Sequence, residues 1–424
     1  MMKLSGQIKT AFNNPFIPLR HKNFRYYWLG MCVSLTGTWM QNVAQPWLAY
    51  SLTKSAFLLG LVGALQFTPL LFFSLFAGVI VDRFSKKKIL YITQSGSLIV
   101  TFILAVLVFT GHIRYWHILT LAFALGCMNT LDIPARQALV IQLVGKEDLM
   151  NAIALNSAMF NVARVAGPAV AGLVMGYLGV GMCFLINSIS FAAVLISLFF
   201  IHPLPIPIKP WGNKRMLTDI KAGLDYIRHH RILRDCTILM AIIGTFAMNN
   251  NVLIPVFSET VLNLDEKGLG LLFSFSGIGA LIGAMLVAAM SRSGPQKFVL
   301  YIVPFIISGF LILNSMTDNF LLAGFYLAAT GLFFNLFSST VNSTLQLNTK
   351  NEFRGRVMSV YIFVWSTPLG SLYAGLSADH WGAEFGFAAC GAAIMVLLIP
   401  AYLYIRKGEN ETEWGQAGAI NKPS

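Results

Sequence analysis

The sequence predicts an all-α polytopic membrane protein of twelve transmembrane helices arranged in two six-helix halves. Three observations carry that expectation: composition, the length of the apolar runs, and a one-sided distribution of positive charge. Of 424 residues, 56% are hydrophobic and only 11% are charged, and the mean hydropathy is +0.68. Soluble domains average about 25% charged residues, so water cannot solvate this surface all round. Apolar runs of about 20 residues recur along the chain, the length that crosses a bilayer core at about 1.5 Å per helical residue. Backbone polar groups in lipid need partners within their own segment, which leaves helices or closed barrels. The runs are too long for barrel strands.

Charges, prolines and glycines punctuate the chain into spans near 25–50, 56–81, 89–110, 116–139, 151–177 and 181–201, then 237–258, 268–291, 298–315, 320–343, 355–378 and 384–405. Residues 1–24 form an N-terminal segment, 202–236 a linker and 406–424 a tail, so the two halves are 25–201 and 237–405. If both termini lie on one side, 26 of the 30 Lys and Arg residues fall in that side's segments. Only Lys54, Arg114 and Lys267 fall on the other side, and Arg164 alone lies deep within a span. Cationic loops are retained in the cytoplasm, which predicts a cell-membrane protein, plasma or inner, with both termini cytoplasmic.

The linker opens with HPLPIPIKP, which cannot continue a helix, and runs on through DIKAGLDYIRHHRILRD. Leu217, Ile220, Leu224 and Ile227 share a helical face opposite Lys221, Asp225 and Arg228. This predicts an amphipathic helix on the inner membrane surface.

Composition and motifs exclude other classes. The net charge of +13 is spread over membrane loops rather than one soluble face, so nucleic acid is not an expected partner. The five cysteines (Cys32, Cys127, Cys183, Cys236, Cys390) form no CxxC pair and nearly all fall within spans, where they pack as small residues. The first apolar run is long and is retained as a span rather than cleaved as a leader. All seven histidines lie in loops or at span ends, and no nucleophile–base or metal cluster marks an enzyme. No GxxxxGK[ST] segment binds ATP. Neither a cofactor nor a metal is expected; the partners are the lipid bilayer, a small amphiphilic organic substrate and a proton gradient, and the chain is expected to act as a monomer.

The halves repeat one another. KILYIT (88–93) matches FVLYIV (298–303), Asn42-Val-Ala-Gln-Pro46 matches Asn251-Val-Leu-Ile-Pro255, and Gly172-Leu…Gly179 matches Gly375-Leu…Gly382, in the same order and at nearly one offset. Repeated six-helix halves with a site near the midplane between them are the architecture of alternating-access transporters.

One stretch, AGVIVDRFSKKKIL (77–90), concentrates Asp82, Arg83, Lys86, Lys87 and Lys88 in seven positions of a charge-poor chain. As a short inner loop between spans two and three, it retains the chain on the cytoplasmic side and meets anionic lipid. Gly78-x-x-x-Asp82-Arg83 followed by basic residues also resembles the signature loop of the major facilitator superfamily. FRYYWLG, GTWMQNVAQPWLAYSLTKSAFLLGLVGA, LDIPARQALV and DLMNAIALNSAMFNVARVAGPAVAG resemble the exporter branch that includes enterobactin exporters and macrolide efflux pumps. The resemblance covers the whole chain. It implies that Gly78 allows close helix approach and that Asp82 caps the N-terminus of span eleven, near Phe353–Val357, where a helix dipole favours an anion. It further implies that Lys86 pairs with an acid in span four, for which Asp132 is the candidate, so that the network closes an inner gate. The implied activity is secondary active efflux of amphiphilic compounds such as drugs or siderophores, by proton-coupled antiport. A lysophospholipid or other lipid mover of the same fold is the alternative, and a non-transporting sensor or scaffold is the alternative of another class.

Polar residues inside spans supply the candidate sites. Arg164 lies about 20 Å into span five by helical rise. An intramembrane charge is a functional-site hypothesis by default: it binds an anionic cargo group, modulates a proton site, or pairs structurally with Asp132. Asp132, roughly 10 Å inside span four, is the best carboxylate for proton coupling. Gly167 and Pro168 resemble part of the fifth-span antiporter motif, whose further glycines are absent, and with Gly172 they serve helix packing. Trp39, Gln41, Asn42 and Gln45 of span one, Asn249, Asn250 and Asn251 of span seven, and Asn335 and Asn342 of span ten are the candidate cavity lining. A mostly apolar pocket needs only such a few polar anchors, and interhelical hydrogen bonding is their other possible use.

Overall fold

The computed structural model describes residues 16–145, 147–201, 216–290, 294–350, 352–365 and 368–407. Among these, every regular element is helical. After a 3-10 turn at Ile17–Arg20 come α1 (Lys22–Thr53), α2 (Ala56–Arg83), α3 (Lys86–Phe109), α4 (Tyr115–Val144), α5 (Leu149–Leu178) and α6 (Val180–Phe200). The linker carries α7 (Met216–His229). There follow α8 (Arg231–Phe246), α9 (Asn250–Thr260), α10 (Glu266–Met290), α11 (Lys297–Tyr301), α12 (Val303–Asn314), α13 (Phe320–Leu347), α14 (Arg354–Trp365), α15 (Pro368–Trp381) and α16 (Ala383–Lys407).

Ten segments are long and apolar enough to cross a membrane, with α8–α9 and α14–α15 each counting as one. The 12-residue α12 is shorter and continues α11 across a break at Ile302. At 32 residues α1 is long enough, although Gln41, Asn42 and Gln45 dilute its apolar content. These segments correspond to the twelve expected crossings.

Local signals set the ends. The Ser55 hydroxyl accepts from the Leu58 amide at 3.2 Å and starts α2, and Asn319 accepts from the Leu321 and Leu322 amides to start α13. Gly179, at φ +84°, breaks α5 from α6. Prolines 46, 69, 134, 168, 255 and 400 lie inside helices, which a membrane bundle tolerates because neighbouring helices satisfy the freed carbonyls. Helices α1–α6 pack among themselves (α1 on α6, α2 on α4, α3 on α4 and α6), as do α8–α16 (α10 on α13, α12 on α16, α15 on α16).

Two expectations change. The seventh span starts at Arg231 rather than at 237, so Asp235 lies within it and is buried. Arg231 and Arg234 flank its carboxylate at 3.6 and 3.5 Å. Arg231 also donates to the Ile405 carbonyl at 2.5 Å, and Arg234 lies over the Tyr404 ring, tying α8 to α16. Pairing lets charges stay in a helix that a charge-counting reading cuts short. In the linker, Leu224 is 53% exposed whereas Ile227 is 6% exposed. The docked face of α7 is Gly223, Tyr226, Ile227 and His230, because the Tyr226 ring stacks on Phe353 (4.3 Å) and His230 (4.0 Å) and Gly223 packs on Arg356 of α14. The side chains of Leu217 and Ile220 lie outside the described residues.

Candidate functional site

The two groups of helices meet along two seams, α5 with α10 and α2 with α15, and α9 packs on α1 and α2. Glycines make the seams possible. A Cβ on Gly270 would sit 2.5 Å from the Pro168 carbonyl oxygen, one on Gly172 2.8 Å from that of Glu266, and one on Gly277 2.8 Å from that of Arg164. In the other seam, a Cβ on Gly375 would sit 2.6 Å from the Ala56 carbonyl, and Gly60 meets the Ser371 carbonyl more closely still. Without a hydrophobic drive between helices in lipid, such small-residue contacts are how spans associate.

These contacts lie toward the face opposite the linker. That face also carries polar cross-links. The Asp379 carboxylate accepts from the Ser55 hydroxyl at 2.8 Å and from the Phe57 amide at 3.4 Å. An anion from α15 thus sits at the N-terminus of α2, where the helix dipole favours it. Lys54 pairs with Glu259 at the end of α9. Lys54 takes the left-handed conformation (φ +50°) at the α1 C-cap, where glycine is the usual residue. A small cavity lined by Tyr50, Lys54, Val256, Asp379, Ala383 and Glu384 lies beside these links.

The linker face differs. Nothing lies within 4 Å of a Cβ built on Gly78 or on Gly355. The linker-side half of the eleventh span, α14, packs on α7, α8 and α13, and its far half, α15, packs on α2. The close approach expected at Gly78 is therefore not made in this conformation. The side chain of Asp82 lies outside the described residues. Arg83, half-buried, and Lys86, 6% exposed, both have partners of their own. Lys87 donates to the Ile201 carbonyl at 2.6 Å and so closes the C-terminus of α6.

Asp132 is not matched as expected. Its Oδ1 accepts from Thr93 Oγ1 at 2.8 Å and Gln94 Nε2 at 2.7 Å, and its Oδ2 pairs with Arg136 one turn on. The carboxylate ties α3 to α4, and the pairing with Arg164 is not formed. Arg136 four residues along the same helix was the available signal. Gln41 and Gln45 are likewise committed: Gln41 donates to Gln45 at 3.1 Å and accepts from Asn187 of α6 at 2.6 Å, so both face α6. Asn187 was not read from the sequence as a partner.

Around Trp39 several candidates come together, while the asparagines of spans seven and ten lie with other partners. Gly167 lies against the Trp39 Cβ, bringing α5 onto α1 and setting the Arg164 guanidinium 5.8 Å from the Trp39 ring centroid. Trp39 also meets Phe160 edge-on at 5.5 Å. Pro168 is buried in the same crossing. Asn42 lies one turn from Trp39 and is half-buried. Span seven breaks between Phe246 and Asn250: Asn249 bonds back to the Thr245 carbonyl at 3.0 Å, Asn250 donates to Ser276 of α10 at 3.0 Å, and Asn251 is exposed. Asn335 lies against Gly283 of α10, and Asn342 accepts from Gln346 at 2.6 Å.

Comparison with known proteins gives this arrangement its family. Residues 13–419 match the family described as transmembrane secretion effectors, of the major facilitator type. The chain is 26% identical over 388 residues to the staphyloferrin A transporter of Staphylococcus aureus, covering 90% of this chain and 96% of that one. It is 25% identical to macrolide efflux protein A of Streptococcus pyogenes (91% and 96%) and 24% identical to the enterobactin exporter EntS of Shigella boydii (89% and 92%). Among solved structures, the nucleoside transporter NupG superposes with a TM-score of 0.74 at 11% identity, covering 91% of this chain and 99% of that one. A bacterial homologue of the human lysosomal transporter Spinster, in an inward-facing unoccupied conformation, superposes with a TM-score of 0.70 at 12% identity (92% and 97%). The helical seams, the broken spans and the match along nearly the whole length agree: this chain is a membrane transporter, not an enzyme, and belongs to the transmembrane secretion effector family of the major facilitator superfamily.

Proposed function

We propose that this protein is a secondary active exporter of amphiphilic organic compounds, of the drug or siderophore kind, working by alternating access. The carrying observation is one-sided closure. The seams and the polar cross-links from Lys54, Ser55, Glu259 and Asp379 gather at one face, while Gly78 and Gly355 at the other have no close neighbour. The charge bias of the loops assigns the unlatched face to the cytoplasm. This is then the inward-facing, loading conformation, and the outward-facing one requires the far-face links to part.

The siderophore and drug relatives support organic cargo. Trp39, Phe160 and half-buried amides suit a large, mostly apolar molecule with few polar anchors. The absence of an ATP-binding segment in the sequence points to an ion gradient, in our reading the proton gradient, as the source of energy. The test is accumulation of a fluorescent amphiphile in cells with and without the protein, before and after collapse of the proton gradient. Lower accumulation that rises on collapse supports the reading; equal accumulation in both strains contradicts it.

A further inference from the structure

Among the described arginines that lie within spans, Arg164 has no carboxylate partner. Arg136 has Asp132, Arg231 and Arg234 share Asp235, and Lys54 has Glu259. Arg164 stands halfway along α5, and no carboxylate lies within 4 Å of it among the described residues. The one acid that the sequence offered, Asp132, is occupied by three other groups. A charge at this depth is costly unless it is paired or lines a wet cavity.

The position explains what would pair it. The Arg164 carbonyl is where Gly277 of α10 closes on α5, and the seam continues from there toward the far face through Pro168 and Gly270. Arg164 therefore sits halfway along α5 where Gly277 closes on it, with the glycine contacts at Pro168 and Gly172 lying on its far-face side. Its guanidinium lies by the Trp39 ring, which Phe160 buttresses. Asn42, one turn from Trp39, makes no side-chain hydrogen bond among the described residues, whereas Gln41 and Gln45 are both bonded. A planar guanidinium beside an aromatic ring keeps its forked donors for a carboxylate.

We propose that Arg164, Trp39, Phe160 and Asn42 form an anion-binding subsite, and that the cargo is an amphiphile bearing a carboxylate. The carboxylate docks on Arg164, Asn42 donates to a neighbouring oxygen of the cargo, and the apolar body lies along Trp39 and Phe160. This rests on the transporter reading and narrows it. Loading supplies the missing counter-charge, so anionic amphiphiles are preferred to neutral or cationic ones of the same size.

The test uses the full-length protein in nanodiscs of phosphatidylcholine, with empty nanodiscs as the blank. The probes are 11-(dansylamino)undecanoic acid and its methyl ester, which differ by one negative charge. The wild type should bind the acid at least tenfold more tightly than the ester. Arg164→Gln should weaken the acid by roughly ten- to a hundredfold, the range of a hydrogen-bonded charged contact, and leave the ester within about twofold. Arg164→Lys should retain part of the preference, which a purely structural arginine would not cause. Equal binding of acid and ester by the wild type, no binding of either, or an undiminished preference in Arg164→Gln would overturn the proposal. Export of both probes from cells is measured separately. If the ester is exported and the acid is not preferred, the subsite falls and the transporter reading stands; if neither probe is exported although the acid binds selectively, the subsite stands and the transporter reading falls.

Discussion

Replacing Asp379 by Asn removes one negative charge from the N-terminus of α2 and keeps the shape and an acceptor oxygen. In the structure that carboxylate receives the Ser55 hydroxyl at 2.8 Å and the Phe57 amide at 3.4 Å. A hydrogen bond to a charged acceptor is worth about 1 kcal/mol more than one to a neutral acceptor, and an anion at a helix N-terminus adds about 0.3–1 kcal/mol. The site is exposed, so solvent screening takes the lower end of both. About 1 kcal/mol of far-face closure is lost, or roughly a fivefold shift toward the outward-facing state. The readout is the labelling rate of Val256→Cys by a membrane-impermeant thiol reagent from outside, in a background without the native cysteines, because Val256 lines the cavity beside the latch and is 4% exposed in this conformation. The rate should rise about fivefold. A rate unchanged by Asp379→Asn would refute the assignment of the latch.

Four further outcomes are expected. Lys54→Gly relieves a left-handed backbone while deleting the Glu259 pair, so the thermal midpoint should stay within a few degrees while Val256→Cys labelling rises. Asp132→Asn leaves the part-buried Arg136 without its counter-charge, a loss toward or below the lower end of the roughly 3–5 kcal/mol for breaking a buried pair; yield and thermal stability in detergent should fall, and adding Arg136→Gln should recover most of the loss. Gln41→Leu strands the Asn187 amide, which costs about 1–3 kcal/mol and should lower the unfolding temperature without changing cargo selectivity. Gly172→Leu drives a side chain into the Glu266 carbonyl and the Gly270 backbone, so the far face cannot close and transport should stop in a protein that still inserts; labelling from outside checks that it is open.

The spans and their order were legible because lipid permits few structures, and a 20-residue apolar run leaves little choice. Where spans begin was less so. Asp235 looked like linker because its charge is visible in sequence and its pairing with Arg231 and Arg234 is not. The face of a polar residue was legible only where spacing decides it. Trp39 and Asn42 are one turn apart on α1, but that Gln41 turns to α6 depends on Asn187, 146 residues on. In sequence Asp132 is a candidate coupling or gating acid because it is an acid in a span, while in the structure Arg136, Thr93 and Gln94 complete its bonding locally. The latch from Ser55 to Asp379 joins residues 324 apart that carry no family motif, and only the fold brings them together. Conformation was the least legible part, because the Gly78 loop reads the same whether its face is shut or, as here, without a close neighbour.

The central claim is outward export through a cavity that loads from the cytoplasmic face. Inverted membrane vesicles expose that face to the medium, so they test it most directly. Vesicles carrying the protein and energised by a proton gradient should accumulate a fluorescent amphiphilic cargo above the level of vesicles carrying Gly172→Leu, and should release the excess when the gradient is collapsed. Equal accumulation in the two preparations would contradict the account.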